Sequence, residues 1–489
     1  MSPLLASLVY TCGIAGLFYL DRDKSLRTSK ALWLPVLYLW VIGSRPVSVW
    51  LGYAPSNGFD NNLNGSPIDA VFFLVLLILA LCVLFNRGRR TLTFLNTSLP
   101  KPVLIYFVFC LLSVSWSDYP VPAVKKWIKA AGDLAMILIV LTDEQPVAAL
   151  RRLYSRTGFI LLPLSLLFIK YYPSLGRGYD PYTGAPSSNG LTLNKNTLGA
   201  IAYVLLLGAI WRVLALLWQN ETPPNRRRQL LAQGALLFIG VTVLIKASSL
   251  TSSVSFVVGA GLLLTTKRLF MRRNPAALHA LVVLLIVTVV SVELLGGGAS
   301  VVRALGRNPT LTGRTDIWAA VIPMAPNPLL GAGFESFWLS PRVAGELWKL
   351  MPGLPLNEAH NGYIEVYLNL GLVGVGLIAL ILIDGYRRSV KAFRRAPAIG
   401  GLLLAYIVAA IFYNLTEAGF RMMHANWIFF LLAIIEASSI AGIGVGAQLP
   451  LGSSSDRASK LPAEGALAMR STRRLSPDIQ SRSVSGRRP

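Results

Sequence analysis

The sequence predicts an all-α, polytopic membrane protein of about 12–13 transmembrane helices with one long structured loop. Three observations carry that expectation. More than half of the 489 residues are hydrophobic (54%), only 14% are charged, and mean hydropathy is +0.57. Apolar runs of spanning length recur from the first residues to about residue 445. Lys and Arg collect in alternate connecting segments, the pattern expected when basic residues stay on one side of a bilayer.

The apolar runs centre near residues 2–20, 31–44, 69–85, 102–117, 123–142, 157–172, 196–218, 230–246, 250–265, 276–296, 363–384, 398–415 and 425–445. A hydrocarbon core about 30 Å thick needs about 20 such residues in a helix. Two runs fit less well. The span at 31–44 runs into Arg45 and Pro46, and the span at 123–142 contains Lys125, Lys126, Lys129 and Asp133. Losing either one breaks the alternation of sides. The first run lacks a basic leader and a small-residue cleavage site, so it is expected to be a retained helix.

Segments 21–30, 86–101, 143–156, 219–229, 266–275, 385–396 and 446–489 hold 31 of the 46 Lys and Arg. The alternate segments 45–68, 118–122, 173–195, 247–249, 297–362 and 416–424 hold nine. The amino terminus is therefore predicted outside and the carboxyl tail inside. The same distribution accounts for a net charge of +24 and a pI near 10.3 through cytoplasmic loops facing anionic lipid, and no nucleic-acid partner is expected. Cys12, Cys82 and Cys110 fall in predicted spans without metal-ligand spacing, so neither a disulfide framework nor a zinc motif is read, and no cofactor is implied.

One membrane domain, 1–445, is followed by residues 446–489, which contain no aromatic residue and are rich in Ser, Arg, Gly and Pro. That composition predicts a disordered basic cytoplasmic tail. Chemistry must then use helix ends and loops, which directs attention to the outer loops 173–195 and 297–362. The second is too long for a plain connector. Gly313 to Ile322 reads as a short helix ended by Pro323, Pro326 and Pro328, lying along the membrane surface.

That loop carries Arg303, Arg307, Arg314, Arg342 and Lys349 against the local charge trend. They either contact lipid phosphates or bind a phosphorylated substrate, for which the planar, always-charged guanidinium is suited. Arg314 is the preferred candidate, because its short helix would put it at headgroup depth. His360, one of only three histidines, sits just before the run at 363–384. A helix amino terminus lowers the pKa of a nearby imidazole, so a neutral His360 able to accept a proton is expected; the plainer alternative is an interfacial capping residue. His279 adjoins a basic loop, and His424 borders the last helix near Glu417 and Arg421. Glu358, Asp316 and Glu335 could orient His360 or bind sugar hydroxyls. Trp318, Phe334, Phe337 and Trp338 could stack on sugars or form an interfacial belt. Lys126 and Lys129 are further phosphate candidates, with an internal Lys129–Asp133 pair at i,i+4 spacing as the alternative.

His360-Asn361-Gly362 followed by Gly371-Leu372-Val373-Gly374 resembles the signature of the O-antigen ligase and polymerase superfamily of bacterial membrane glycosyltransferases. Gly313-Arg314-Thr315-Asp316-Ile317-Trp318 and Asn327-Pro328-Leu329-Leu330-Gly331-Ala332-Gly333 resemble its long periplasmic loop. Lys195-Asn196-Thr197-Leu198-Gly199 resembles the element entering a middle helix, and Ser115-Trp116-Ser117-Asp118-Tyr119-Pro120 is similar to members tied to exopolysaccharide polymerisation. These elements span residues 115 to 374.

The resemblance implies a GT-C-like fold in the bacterial inner membrane, with its site facing the periplasm. It implies metal-independent transfer of a glycan from a polyprenyl diphosphate donor to the hydroxyl of a saccharide or lipid-linked acceptor. Carried over by position, His360 would activate the hydroxyl and Arg314 hold the diphosphate. Lys195 and Asn196, the loop residues Arg303 and Arg307, and Glu358 and Asn361 beside the histidine would bind substrate. The alternative is a lipid-linked glycan transporter or flippase, which would place ionisable groups at helix centres and show internal repeats. Charges inside the runs are few, mainly Lys125 to Asp133, Arg212 and Glu293, and no repeat is evident.

Overall fold

Proline opens many of the helices, where its missing N–H costs no hydrogen bond. The computed structural model describes residues 1–23, 26–53, 65–179, 184–218, 225–266, 273–294, 311–351 and 356–442. The predicted tail, Arg303 and Arg307 lie outside them. In chain order the helices are α1 (Pro3–Leu20), α2 (Trp33–Ile42), α3 (Pro67–Asn86), α4 (Gly88–Ser98), α5 (Lys101–Leu112), α6 (Pro120–Leu141) and α7 (Pro146–Tyr171). Then come α8 (Lys195–Trp218), α9 (Arg226–Ala247), α10 (Leu250–Thr265) and α11 (Pro275–Leu294). The chain continues through α12 (Leu311–Val321), α13 (Pro341–Leu350), α14 (Gly362–Arg395), α15 (Pro397–Thr416) and α16 (Ala425–Gly442). A two-stranded hairpin, β1 (Arg177–Tyr179) against β2 (Pro186–Ser188), is antiparallel with Arg177 opposite Ser188.

Over their described residues all of the predicted apolar runs are mainly helical, and the protein is an all-α, multi-pass membrane protein. Among the described residues, eight helices are long and apolar enough to cross a bilayer: α1, α3, α7, α8, α9, α14, α15 and α16. The others differ in ways that matter for the span count. At 1.5 Å per residue α2 is roughly 15 Å long, half of a hydrocarbon core. α4 and the stretch Lys101–Trp116 form a pair bent by 100°. α10 and the first part of α11 are apolar but shorter than a full span.

The bundle has a buried centre and a lipid-facing rim. In their most apolar stretch, α15 and α16 are each 83% buried, against 11% for α1. Apolar side chains facing lipid carry no penalty, which is why α1 and α3 can be apolar all round. Tyr154, Tyr406 and Phe429 stack at the centre with ring centroids 5.5–6.2 Å apart.

Contacts group several of the connecting segments at each end of the bundle. At one end Arg152 donates to Thr28 Oγ1 (2.6 Å), Ser29 N donates to Asp143 (3.1 Å), and Gln233 donates to Asp21 (3.0 Å). At the other end, Ser7 meets Tyr172 (2.9 Å) and Ser48 donates to Asp69 (2.6 Å).

The segment between α11 and α14 is folded over its described part, as expected. Ile317 and Val321 of α12, Phe337, Val343 and Leu347 of α13, Ala359 and Leu368 make a small core of their own. Its attachment to the bundle uses a break in α14 that the sequence pattern does not reveal. Gly371 has φ +62° and ψ −165°, a conformation open only to glycine. The turn Asn327–Gly333 fills the break: Leu372 and Val373 N–H donate to Pro328 and Leu329 carbonyls (2.9 and 3.1 Å), and Ala332 N–H donates to Leu368 O (3.0 Å). A Cβ on Gly371 would meet the Leu329 carbonyl carbon at 2.2 Å. Backbone groups freed inside a span must find protein partners, and this loop supplies them.

Candidate active site

His360 is placed by the backbone on both sides of it. Its φ is +51°, a left-handed conformation uncommon for a residue with a side chain. Before it, Ala359 N–H donates to Glu365 of α14 (2.5 Å), and the Ala359 carbonyl accepts from Trp318 of α12 (2.8 Å). After it, Asn361 caps α14, its side-chain oxygen accepting from Tyr363 and Ile364 N–H (3.0 and 3.1 Å) while its amide donates to Leu415 O (2.9 Å). Asn361, expected to bind substrate, thus has both ends of its amide committed to backbone.

The imidazole faces two carboxylates. His360 Nδ1 is 3.0 Å from Glu358 Oε1 and 3.4 Å from Glu417 Oε2. Each carboxylate has an arginine on its far side: Arg314 reaches Glu417 Oε1 at 2.7 Å, and Arg421 reaches Glu358 Oε2 at 3.0 Å. Arg314 also donates to the Thr416 carbonyl. Asn196, in the first turn of α8, donates to Glu417 Oε1 (2.8 Å). The result is a continuous chain, Arg314, Glu417, His360, Glu358, Arg421, assembled from α12, the α15–α16 connection and the residues before α14.

This environment reverses the expected charge of His360. Burial by itself would lower the imidazole pKa, but the hydrogen bonds and negative charges of Glu358 and Glu417 outweigh it and raise it to about 11. The resting side chain is a cation, in place of the neutral group that the helix terminus suggested. Burial would raise the Glu358 carboxyl, but its bonds to His360 and the positive field of Arg421 hold it down at about 2. His424, in the same connection as Glu417 and Arg421, goes the other way: burial and then the Arg421 charge lower it to about 4. Its Nδ1 accepts from Asn426 N–H (3.2 Å), which fixes the neutral tautomer.

Glu358, His360 and Glu417 each offer one atom within 4.8 Å of the others, a set with metal-ligand spacing. Both carboxylates already have guanidinium partners, so the local charge is balanced by the protein itself, and no metal is assigned.

Residues 234–379 match the O-antigen ligase family. The exopolysaccharide production protein ExoQ of Rhizobium meliloti (strain 1021) is 26% identical over 301 residues, which are 59% of this chain and 65% of that protein. The chain is O-antigen ligase/polymerase-like. The match covers 65% of the ExoQ length. The matched O-antigen ligase region contains Arg314, Glu358 and His360, whereas Asn196, Glu417 and Arg421 come from outside it.

Set against the sequence expectations for an O-antigen ligase-like chain, the structure brings together His360, Arg314, Glu358, Asn361 and Asn196. Lys195 begins α8 one residue before Asn196. Asp316 is exposed, and Trp318 and Phe337 belong to the loop's small core. The Lys129–Asp133 pair does not form: Asp133 accepts from Tyr38 (2.6 Å) and from Met423 N–H (2.9 Å), tying α6 to the connection that carries Arg421. Lys126 donates to the Glu335 carbonyl (2.6 Å). The motif at 115–120 is likewise a loop anchor, with Ser117 Oγ and Ser336 Oγ 2.7 Å apart and Trp116 donating to Leu330 O (3.3 Å). Sequence reading passed over Glu417 and Arg421 as site residues. The available signal was a carboxylate, an arginine and a histidine within eight residues of an otherwise short connection, Glu417 to His424.

Proposed function

We propose that this protein transfers a glycan from a polyprenyl diphosphate to a sugar hydroxyl, at the periplasmic face of a bacterial cytoplasmic membrane. The observation that supports it most is the His360 imidazole held by two carboxylates, with Arg314 and Arg421 beyond them. Both carboxylates engage Nδ1, so Nε2 is the ring nitrogen that takes the acceptor proton, an arrangement of base and orienting carboxylate used widely in acid–base catalysis. The acceptor oxygen bonds to the anomeric carbon as the bond from that carbon to the diphosphate oxygen breaks. The diphosphate departs with the electron pair, and the hydroxyl proton passes to His360. Arg314 and Arg421 meet the charge that grows on the leaving group, the task a divalent cation performs in other phosphate sites.

His360 reaches the transition state only after losing its resting proton. Its two carboxylates make it a stronger base but leave a smaller fraction of it deprotonated near neutral pH, so rate should climb with pH. The diphosphate is a good leaving group without a strong general acid, which fits a site whose ionic groups are otherwise paired.

The test is transfer from a synthetic polyprenyl-diphosphate oligosaccharide by purified protein with chelator present, comparing wild type with His360→Ala and Arg314→Ala. A ladder of products on the lipid donor identifies a polymerase, and one-step transfer to a different acceptor a ligase. Loss of wild-type transfer on chelation would overturn the metal-independent mechanism. Full activity in both variants would overturn the assignment of these residues.

A further inference from the structure

At the end of α14 remote from His360, a cavity of about 250 Å³ opens between that helix and the last turn of α16. Asp384, Arg387, Arg388 and Lys391 line it from α14, and Ala441 and Gly442 from α16. One water takes about 30 Å³ in the liquid, so a phosphate group with several waters fits. Spacing at i, i+3, i+4 and i+7 puts the four charged side chains on one face of α14.

Some of these charges are satisfied within the protein and some are not. Arg388 is fixed, with Nε donating to Asp384 (2.6 Å) and Nη1 to Ser438 Oγ of α16 (3.0 Å). Arg395 donates to the Ile440 carbonyl (3.1 Å) and to the Ala441 carbonyl, so the carbonyl end of α16, which by itself repels an anion, is covered. Arg387 and Lys391 are exposed and, among the described residues, make no hydrogen bond or ion pair. They stand one turn apart, where like charges destabilise a helix and an anion between them removes the repulsion. The cavity thus sets three cations against one carboxylate. Residues 446–489 are a poor source of counter-charge, with eight Lys and Arg against three acids.

Depth points to the source of the anion. Residues 366–383 of α14 are uncharged and about 27 Å long at 1.5 Å per residue, close to the thickness of a hydrocarbon core. Asp384, Arg387, Arg388 and Lys391 follow at once, at headgroup level. Leu380 and Ile383, both exposed, share the face of Arg387 at i, i+3 and i+7, so an acyl chain lying along them brings its headgroup to the cavity.

We infer that this cavity holds the phosphate of an anionic lipid, between Arg387 and Lys391 and beside the fixed Arg388. A guanidinium matches phosphate oxygens through paired N–H donors, an ammonium adds a point charge, and basic pockets between membrane helices recognise headgroups by this chemistry. The basic-residue pattern predicts the cytoplasmic leaflet for this end, and the site stands whether or not the His360 end transfers a glycan.

The test uses full-length protein in a neutral detergent. The variant is Arg387→Gln with Lys391→Gln. The control, Arg22→Gln with Arg27→Gln, removes the same charge from exposed positions of the basic segment 21–30. Native mass spectrometry compares dioleoylphosphatidylglycerol with dioleoylphosphatidylcholine. Wild type should bind one phosphatidylglycerol about tenfold more tightly than phosphatidylcholine, and the variant should lose that preference while the control keeps it. No preference in wild type, or an equal loss in the control, would overturn the site. Inorganic phosphate, read as a shift of the thermal transition, separates the two sources. Stabilisation by phosphatidylglycerol but not by inorganic phosphate, abolished in the variant, supports the lipid. Stabilisation by inorganic phosphate alone, abolished in the variant, would overturn the lipid and leave the cavity to a free phosphate.

Discussion

Two ion-pair clusters sit at opposite ends of this bundle, and they differ in what they leave accessible. At one end Arg212 pairs with Asp21 (3.4 Å), Gln233 bridges Asp21 and Ser155 (3.0 Å each), and Gln229 reaches Asp23 (3.4 Å). The side chains of Arg212 and Asp21 are only 4% and 12% exposed. At the other end the Arg421 and Glu358 side chains keep 38% and 24% of their surface, and a histidine stands between the carboxylates. The first cluster joins α7, α8 and α9 to the end of α1 through amides, Arg212 and two aspartates, and contains no histidine. The second contains a titrating imidazole, two left-handed residues, His360 and Met423, and arginines that a ligand can recruit. Ionic content alone therefore does not mark a site; partial exposure, backbone strain and a titratable centre do.

The sharpest way to break this comparison is to truncate each centre. His360→Ala should lower glycan transfer per folded molecule by about 10³-fold, within the range for loss of a positioned general base, and should also lose the stability that its pairing with Glu358 and Glu417 supplies. Arg314→Ala should cost about 10²-fold in transfer, with Arg314→Lys recovering part of it, because a point charge replaces only some of a bidentate fork. Both are read as initial rates on lipid-linked donor. Equal losses from Arg212→Met, per folded molecule, would erase the distinction between the two ends.

Arg212→Met probes the other side. Removing one partner of a buried pair strands Asp21, so stability should fall by on the order of 3 kcal/mol while turnover per folded molecule is unchanged. A thermal unfolding curve in detergent, beside an activity assay normalised to folded protein, checks both halves of the expectation.

Much of the frame was legible because apolarity and helix periodicity are local. The runs at 363–384 and 398–415 read directly as α14 and α15. The break at Gly371 did not, since glycine at that spacing usually serves close packing, and only the incoming Asn327–Gly333 turn makes it a discontinuity. His360 and Arg314 stood out through their motifs and the unusual cations of the long loop. Glu417 did not, because its contact with His360 spans 57 residues and the cluster Glu417, Arg421 and His424, though legible in the sequence, does not say which residue it meets. Asp133 shows the same limit in reverse: i,i+4 spacing offered Lys129, and tertiary packing supplied Tyr38 and Met423.

The pH profile is the most diagnostic, because it drives stability and activity in opposite directions. The pKa of His360 is raised from the ordinary imidazole value of about 6.5 to about 11. A raised pKa means the pairing stabilises the folded protein fully below about 6.5, and that contribution fades as pH climbs toward 11. Catalysis has the reverse dependence, because only the deprotonated ring accepts a proton, so kcat/KM should rise by up to about tenfold per pH unit above neutrality. Glu417→Gln removes one of the charges that hold the proton, and its rising limb should therefore move to lower pH while the alkaline loss of stability shrinks. A flat rate profile between pH 7 and 9.5, with stability still falling, would leave His360 as a fixed cation that steadies the two carboxylates and would pass the role of base to another group.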